Sequence, residues 1–167
     1  MARAGWPRPR SAAVAGAATV SAVARRFQVT FDATDPHALA GWWAALLDYE
    51  VEDLHDGVQE LLADGIVTAD QVLTVNGRLT FADATAAGDP ARQGPRLYFQ
   101  RVPEPKSAKN RVHLDVQLDG DLDEQVERLR GTGASFVRFD SQPGHRWAVM
   151  QDPEGNEFCV TPPPPGH

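Results

Sequence analysis

The chain has 167 residues, of which 42% are hydrophobic and 23% are charged, and its formal net charge is −7. This length fits one compact domain, or two small modules that share a core. The acidic balance excludes general binding to nucleic acids or anionic membranes, because such binding requires a basic surface. A single cysteine, Cys159, excludes an intrachain disulfide framework and a cysteine-rich zinc site. We therefore expect a cytoplasmic protein whose partners are small molecules or other proteins.

The N-terminal segment differs in composition from the rest. Residues 1–26 contain five arginines and no acidic residue, so the remaining residues carry 11 basic and 23 acidic side chains, a net charge of −12. The segment Ser11–Ala24 consists mostly of Ala, Val and Gly, and Ala22-Val23-Ala24 is similar to a signal-peptide cleavage site. This segment has no Leu, Ile or Phe, and Ala and Gly contribute little free energy of transfer from water to an apolar phase, which argues against a secretory signal peptide. We expect residues 1–25 to be a disordered or mis-assigned extension, with a cleaved signal as the alternative.

The first regular elements are predicted after this extension. Residues 27–33 alternate between apolar and polar side chains, which predicts a strand with one buried face. Asp35 and Pro36 then predict the start of a helix, with Asp35 as the N-cap and Pro36 at the first helical position. One wide apolar stripe follows at helical spacing: Leu39, Trp42, Trp43, Leu46 and Leu47. We expect its two tryptophans to pack in the core, with stacking on a ligand as the alternative.

The same order of elements recurs in the second half. Residues 112–118 alternate like the first strand, and Asp121 with Glu124 predicts a capped helix after them. Turn signals then separate three more predicted strands, which are Ser135–Phe139, Arg146–Gln151 and Glu157–Thr161. The second half is therefore predicted to be a βαβββ module. The Pro-rich residues 162–167 cannot continue a strand ladder, so we expect an extended tail.

The remainder of the first half is predicted to complete a matching module. Val72–Val75 and Arg78–Phe81 flank Asn76-Gly77, a strong hairpin signal, and Arg96–Val102 supplies the last strand. Between these elements we expect a short inserted helix over His55–Gly65 and a loop over residues 82–95. The prediction is an α+β fold of paired βαβββ modules, with helices on one face of the sheets.

Three segments are distinctive in combination with this order. They are Trp42-Trp43, the joining segment Val102–Asp115, and His145–Val160 with its Asp-Pro-Glu-Gly-Asn turn. Together they resemble the glyoxalase/bleomycin-resistance/extradiol-dioxygenase group, the vicinal oxygen chelate superfamily, and most closely its glyoxalase-like actinobacterial members. The resemblance covers residues 26–161, with module one at 26–102 and module two at 111–161. It implies that each module forms a half-barrel, that the two enclose a cleft, and that a divalent metal often lies there.

The resemblance places the four metal-ligand positions on Gln28, Gln100, His113 and Cys159. Two amides, an imidazole and a thiol lack the anionic oxygens that a hard divalent ion prefers. Zinc would accept His113 and Cys159 but needs three or four good ligands. We therefore expect no metal or other cofactor. The alternative is a divalent metal held by His113 with a nearby carboxylate. For His113 itself two roles remain equally open: a hydrogen-bonded side chain in a polar cleft, or a general base or ligand donor.

Strand alternation indicates which side chains face the cleft. The candidate ligand-binding residues are Gln28, Thr30, Tyr98, Gln100, His113, Asp115, Trp147 and Cys159, the last expected to be an inert thiol. We expect the cleft to bind a small organic molecule without a metal, because binding alone needs only shape and a few polar anchors. The alternatives are a metal-dependent lyase, isomerase or dioxygenase, and a dimerisation module. Whether the chain is an enzyme stays open, and a homodimer is a further possible assembly.

Overall fold

The computed structural model describes residues 25–163. The expectations for the N-terminal extension and for the end of the tail concern residues 1–24 and 164–167, which lie outside the described residues. The helices of the described part are α1 (Pro36–Leu47), α2 (His55–Ala63) and α3 (Leu122–Arg130), with a 3₁₀ turn at Ala69–Gln71. Its strands are β1 (Gln28–Ala33), β2 (Glu50–Val51), β3 (Val72–Val75), β4 (Arg78–Phe81), β5 (Ala84–Gly88), β6 (Arg96–Arg101), β7 (Asp115–Gln117), β8 (Ser135–Gln142), β9 (His145–Gln151) and β10 (Glu157–Thr161). Among residues 25–163, no helix is long and apolar enough to cross a membrane.

Two four-stranded sheets have the same internal order, β1-β6-β5-β2 in the first half and β7-β10-β9-β8 in the second. In each sheet the first strand of the module pairs in parallel with the last one, and the other pairings are antiparallel. Each half is therefore a βαβββ module. The predicted α+β class with paired modules is confirmed.

The prediction of a loop over residues 82–95 is wrong, because Ala84–Gly88 forms β5. This strand lies inside the first sheet between β2 and β6, and Ala84, Thr85, Ala86 and Ala87 are all buried. An inner strand covered on both faces has no alternation of apolar and polar side chains, and alanine has low strand propensity. The sequence therefore carries neither of the usual strand signals here, and the two-residue strand β2 was missed as well.

The hairpin β3–β4 was predicted correctly as a local structure but assigned to the wrong sheet. It forms a separate two-stranded sheet, in an insertion between β2 and β5 that also contains α2. Asn76 and Gly77 have φ values of 51° and 80°, as a tight hairpin turn of this kind requires. The Leu79 N–H donates to His55 Nδ1 at 2.9 Å, which fixes the hairpin to α2.

The first strands of both modules begin later than predicted. Phe27 precedes β1 and is 70% exposed, and Val112 precedes β7 and is 78% exposed. The predicted strand over residues 112–118 shortens to Asp115–Gln117. Residues 103–113, called the linker below, form an irregular connection between the modules.

Both predicted helix N-caps are confirmed. The Asp35 carboxylate accepts hydrogen bonds from the N–H groups of His37 and Ala38, and the Asp121 carboxylate from those of Asp123 and Glu124. These bonds satisfy N–H groups that have no partner inside a helix. A complete capping box occurs instead at the 3₁₀ turn, between Thr68 and Gln71.

The two modules share one hydrophobic core. Trp43 on α1 is 1% exposed, and its ring centroid lies 5.2 Å from that of Phe31 on β1 and 5.3 Å from that of Phe158 on β10. Trp42 packs edge-on against Phe158 at 5.6 Å. The tryptophans therefore pack in the core, as the first of the two interpretations predicted. This packing holds β1 close to the turn that precedes β10.

Candidate functional site

A cavity of about 700 Å³ lies between β1 and the linker. Residues 29–34 line one side, the linker lines another, and Glu154, Asn156 and Glu157 line a third, with Trp43 also in the wall. Residues from both faces of β1 take part, because β1 is an edge strand of its sheet. The volume is in the range of cavities that hold small organic molecules. We call this space the inter-module cavity.

The turn before β10 is fixed by a buried carboxylate. Asp152 is 2% exposed and accepts hydrogen bonds from Trp43 Nε1 at 3.0 Å, from the Glu154 N–H at 3.0 Å and from the Asn156 N–H at 2.9 Å. A buried carboxylate needs several such donors to offset its lost hydration. Gly155 adopts a φ of 86°, which glycine reaches at little cost. The turn is therefore held firmly against α1.

Glu154 connects this turn to the first module. Its Oε2 accepts the Thr34 N–H and its Oε1 accepts the Asp35 N–H, each at 2.7 Å. These N–H groups lie between β1 and α1, far away in the sequence. One end of the inter-module cavity is thus closed by a direct contact between the modules.

Glu157 connects the same turn to the linker. Its Oε2 accepts the Asn110 N–H at 2.9 Å and lies 3.1 Å from Lys106 Nζ. Burial raises the pKa of Glu157, but the Asn110 N–H and the Lys106 ammonium outweigh it and lower the pKa to about 2. The carboxylate is therefore ionised at neutral pH. Sequence reasoning missed the roles of Glu154 and Glu157, whose only signal was their position in and after the Asp-Pro-Glu-Gly-Asn turn.

The structure brings only some of the predicted site residues to this cavity. Thr30 on β1 and His113 in the linker both line it, and Asp32 lies in the same wall. The Asp32 Oδ1 accepts a hydrogen bond from Gln100 Nε2 at 2.9 Å, which keeps Gln100 beside the cavity but outside its lining.

The two predicted amide ligands do not converge. In the parallel register Gln28 lies opposite Arg96, whereas Gln100 lies opposite Asp32. Four register positions separate the two amides, which corresponds to about 13 Å along the strands. Gln28 Oε1 instead accepts a hydrogen bond from Arg96 Nη1 at 3.0 Å.

Tyr98 and Trp147 lie away from the inter-module cavity. The Arg96 guanidinium lies 5.4 Å from the centroid of the Tyr98 ring and also forms a bidentate pair with Glu52. Trp147 is on β9 and stacks on His145 with 5.5 Å between ring centroids. Neither aromatic ring belongs to the cavity lining.

Three predicted residues of the second module form a cluster. His113 Nε2 lies 3.3 Å from Asp115 Oδ1, and the donor atoms of His113, Asp115 and Cys159 all lie within 4.8 Å of one another. Cys159 is opposite Asp115 in the pairing of β7 with β10. Burial and the negative charge of Asp115 raise the pKa of Cys159 to about 11. The thiol is therefore protonated at neutral pH.

The family model described as "Glyoxalase-like domain" matches residues 28–161. The chain belongs to this glyoxalase-like family. None of the curated proteins compared with the chain matches it.

Solved structures with the same fold support this assignment. A glyoxylase/bleomycin resistance protein/dioxygenase domain from Frankia sp. EAN1pec has a TM-score of 0.53 at 15% identity and covers 87% of this chain and 96% of its own. The fosfomycin resistance protein FosX from Mesorhizobium loti has a TM-score of 0.53 at 13% identity, with coverages of 86% and 94%. A family enzyme from Burkholderia phytofirmans PsJN has a TM-score of 0.52 at 14% identity, with coverages of 81% and 95%. The superfamily that the sequence resembles is confirmed, and at these identities the likeness extends to the fold.

In the part of this glyoxalase-like chain that the structure describes, one group of side chains has the composition of a metal site. His113, Asp115 and Cys159 offer an imidazole, a carboxylate and a thiol, which are ligand types and a ligand number that zinc accepts. An ion bound there would have to displace the thiol proton, so binding would be pH-dependent. Gln28 and Gln100, expected at ligand positions, hydrogen-bond to Arg96 and Asp32 instead.

Proposed function

We propose that this glyoxalase-like chain binds a small organic molecule in the inter-module cavity without the help of a metal. The observation that carries the proposal is the cavity itself, with a volume of about 700 Å³ and with walls from both modules. Thr30 and His113 supply a hydroxyl and an imidazole there, and Val29 and Phe31 supply apolar surface. A cavity with apolar walls and a few polar anchors suits a small ligand.

The charges in the wall favour a neutral or positively charged ligand. Four carboxylates and one ammonium line the cavity. The negative charge of Glu154 is compensated by two backbone N–H groups, and that of Glu157 by one backbone N–H group and the Lys106 ammonium. Asp32 and Glu104 form no ion pair within residues 25–163. Their uncompensated charge would repel an anion and attract a cation.

A set of matched probes tests this proposal. Benzyl alcohol, benzylamine and benzoate share a ring and differ in charge, and their binding can be followed by shifts in the ¹H–¹⁵N spectrum. We expect the alcohol and the amine to shift resonances of residues 29–34 and of the linker, and benzoate to shift them least. Thr30→Phe should fill the cavity and abolish these shifts, whereas Thr74→Phe, at an exposed strand position outside the cavity, should not. Equal effects of the two variants, or shifts elsewhere only, would contradict the proposal.

A second candidate function is a metal-dependent lyase, isomerase or dioxygenase, which the cluster of His113, Asp115 and Cys159 favours. A metal held by these residues would polarise a carbonyl or enediolate oxygen. Metal analysis of the purified protein, followed by thermal shifts with Zn²⁺, Ni²⁺, Mn²⁺ and Fe²⁺, separates the two candidates. Stoichiometric metal, or a shift that His113→Ala abolishes and His145→Ala retains, would favour the enzyme.

A cytoplasmic homodimer is the proposed assembly. The exposed apolar residues Phe27 and Val112 lie just before β1 and β7. A second copy of the chain would bury these two side chains. Sedimentation equilibrium should show a dimer that Phe27→Lys and Val112→Lys dissociate, whereas Ile66→Lys, at an exposed site of the insertion, should leave it intact. A monomer at micromolar concentration would overturn the proposed assembly.

A further inference from the structure

The linker is not held by hydrogen bonds between backbone groups. Among residues 25–163, no backbone–backbone hydrogen bond has a donor or acceptor in residues 103–113. Such bonds occur directly outside the linker, where the Val102 N–H donates to Ala33 O at 3.1 Å and the Cys159 N–H donates to Leu114 O at 2.8 Å. Most linker residues are also exposed. A segment with few buried contacts and no ladder of hydrogen bonds has low local stability.

The same segment forms a large part of the cavity wall. Its contributions to the lining are Glu104, Pro105, Lys106, Ser107, Ala108, Asn110, Val112 and His113. The opposite wall is firm, because β1 is paired with β6 and Trp43 is buried in the core. The inter-module cavity therefore has one firm wall and one weakly attached wall.

The side-chain contacts that hold the linker meet at one residue. Glu157 Oε2 accepts the Asn110 N–H at 2.9 Å and pairs with Lys106 Nζ at 3.1 Å. Next to it, Asn110 Nδ2 donates to Asn156 Oδ1 at 3.2 Å. The side chain of Glu157 is only 12% exposed, so these interactions are poorly screened by water and salt. The aliphatic part of Lys106 lies over Gly155, with its Cδ 3.7 Å from the position of a Cβ there.

From this arrangement we infer that the linker opens to widen the access of a ligand to the cavity and that Glu157 holds it closed. The inference rests on the proposed function, because it concerns access to the proposed binding cavity. Opening breaks the side-chain contacts to Glu157 and Asn156 and leaves both sheets intact. The backbone hinges at Val102 and Leu114, where regular hydrogen bonding resumes.

Limited proteolysis tests the opening without a ligand. Among the tryptic sites of the linker, those after Lys109 and Arg111 are common to the wild type and all the variants, and trypsin cleaves at them only when the linker leaves the surface and enters the protease. Glu157→Gln keeps an acceptor for the Asn110 N–H and removes the charge that holds Lys106. We expect cleavage at both sites to become about fivefold faster, which corresponds to the loss of one net hydrogen bond. Glu127→Gln, which removes an exposed pair with Arg130 on α3, should leave the rate unchanged.

Access to the cavity needs a second measurement. The neutral nitroxide 4-hydroxy-TEMPO broadens resonances of amides that it can approach. We expect stronger broadening at residues 29–33 in Glu157→Gln than in the wild type, and wild-type broadening in Glu127→Gln. If the spectrum shows that Glu157→Gln does not fold, the same two measurements on Lys106→Met test the inference. This variant removes the ion pair and leaves the Glu157 carboxylate bonded to Asn110.

The outcomes separate the inference from the proposed function. Unchanged cleavage and unchanged broadening in the folded Glu157 and Lys106 variants would overturn the inference, even if benzyl alcohol or benzylamine binds in the cavity. Faster cleavage and stronger broadening, with no binding of either probe, would support the opening and count against the proposed function.

Discussion

The hydrogen bond between Trp43 and Asp152 should contribute strongly to the free energy of unfolding. Trp43→Phe removes the indole N–H that donates to the buried Asp152 carboxylate at 3.0 Å. A hydrogen bond to a charged group contributes about 1.5–3 kcal/mol. The smaller ring also leaves space beside Phe31 and Phe158, which costs about 1 kcal/mol more. We expect Trp43→Phe to lower the free energy of unfolding by about 3 kcal/mol.

Urea unfolding followed by circular dichroism measures this loss, and Trp147→Phe is the control. Trp147 is half-buried and stacks on His145, so we expect its substitution to cost less than about 1 kcal/mol. A double-mutant cycle with Asp152→Asn should give a coupling free energy of about 1–2 kcal/mol between Trp43 and Asp152. If the two tryptophan variants differ by less than about 1 kcal/mol, the idea that this bond joins the modules is refuted.

Three further predictions follow from single side chains. The pKa of Glu157 is lowered from 4.5 to about 2, so its hold on the linker is complete above about pH 4.5 and weakens as the pH falls towards 2. Broadening of residues 29–33 by 4-hydroxy-TEMPO should therefore rise in acid more steeply in the wild type than in Glu157→Gln, and equal slopes would contradict this role. Cys159, with a pKa near 11, should react with a disulfide reagent about a hundredfold more slowly in the native protein than in urea at the same mildly alkaline pH, and equal rates would contradict its burial. Glu154→Ala removes two charge-assisted hydrogen bonds to exposed backbone N–H groups, which water can replace in part, and should cost about 1–2 kcal/mol in denaturant unfolding, whereas Glu60→Ala, at an exposed position, should cost less than about 0.5 kcal/mol.

Elements with one buried face could be predicted from the sequence, and elements buried on both faces could not. β1 and α1 show clear periodicity because one side of each is covered and the other is not. β5 lacks this contrast, because it lies between two strands and its small side chains are buried on both faces of the sheet. The hairpin around Asn76 and Gly77 was predictable because a turn is a local property, whereas the sheet that it joins depends on distant residues.

The candidate site shows the same division between local and distant information. Alternation grouped His113, Asp115 and Cys159, and the structure brings them together because Asp115 pairs with Cys159 across β7 and β10 while His113 lies in the linker two residues before Asp115. It could not reveal that Gln28 and Gln100 lie four register positions apart, since alternation gives the face of a strand but not its register.

The turn from Asp152 to Glu157 gives the glyoxalase-like chain its cavity, because its three carboxylates bind three different segments. Asp152 binds α1 through Trp43, Glu154 binds the backbone that precedes α1, and Glu157 binds the linker. The first two contacts join firm elements, whereas the third holds a segment with no backbone ladder. Substitution of Asp152 or Glu154 should therefore lower the stability of the whole fold, and substitution of Glu157 should mainly change how often the cavity is open. This contrast, measured as global unfolding against local cleavage of the linker, distinguishes the structural part of the turn from the part that controls access.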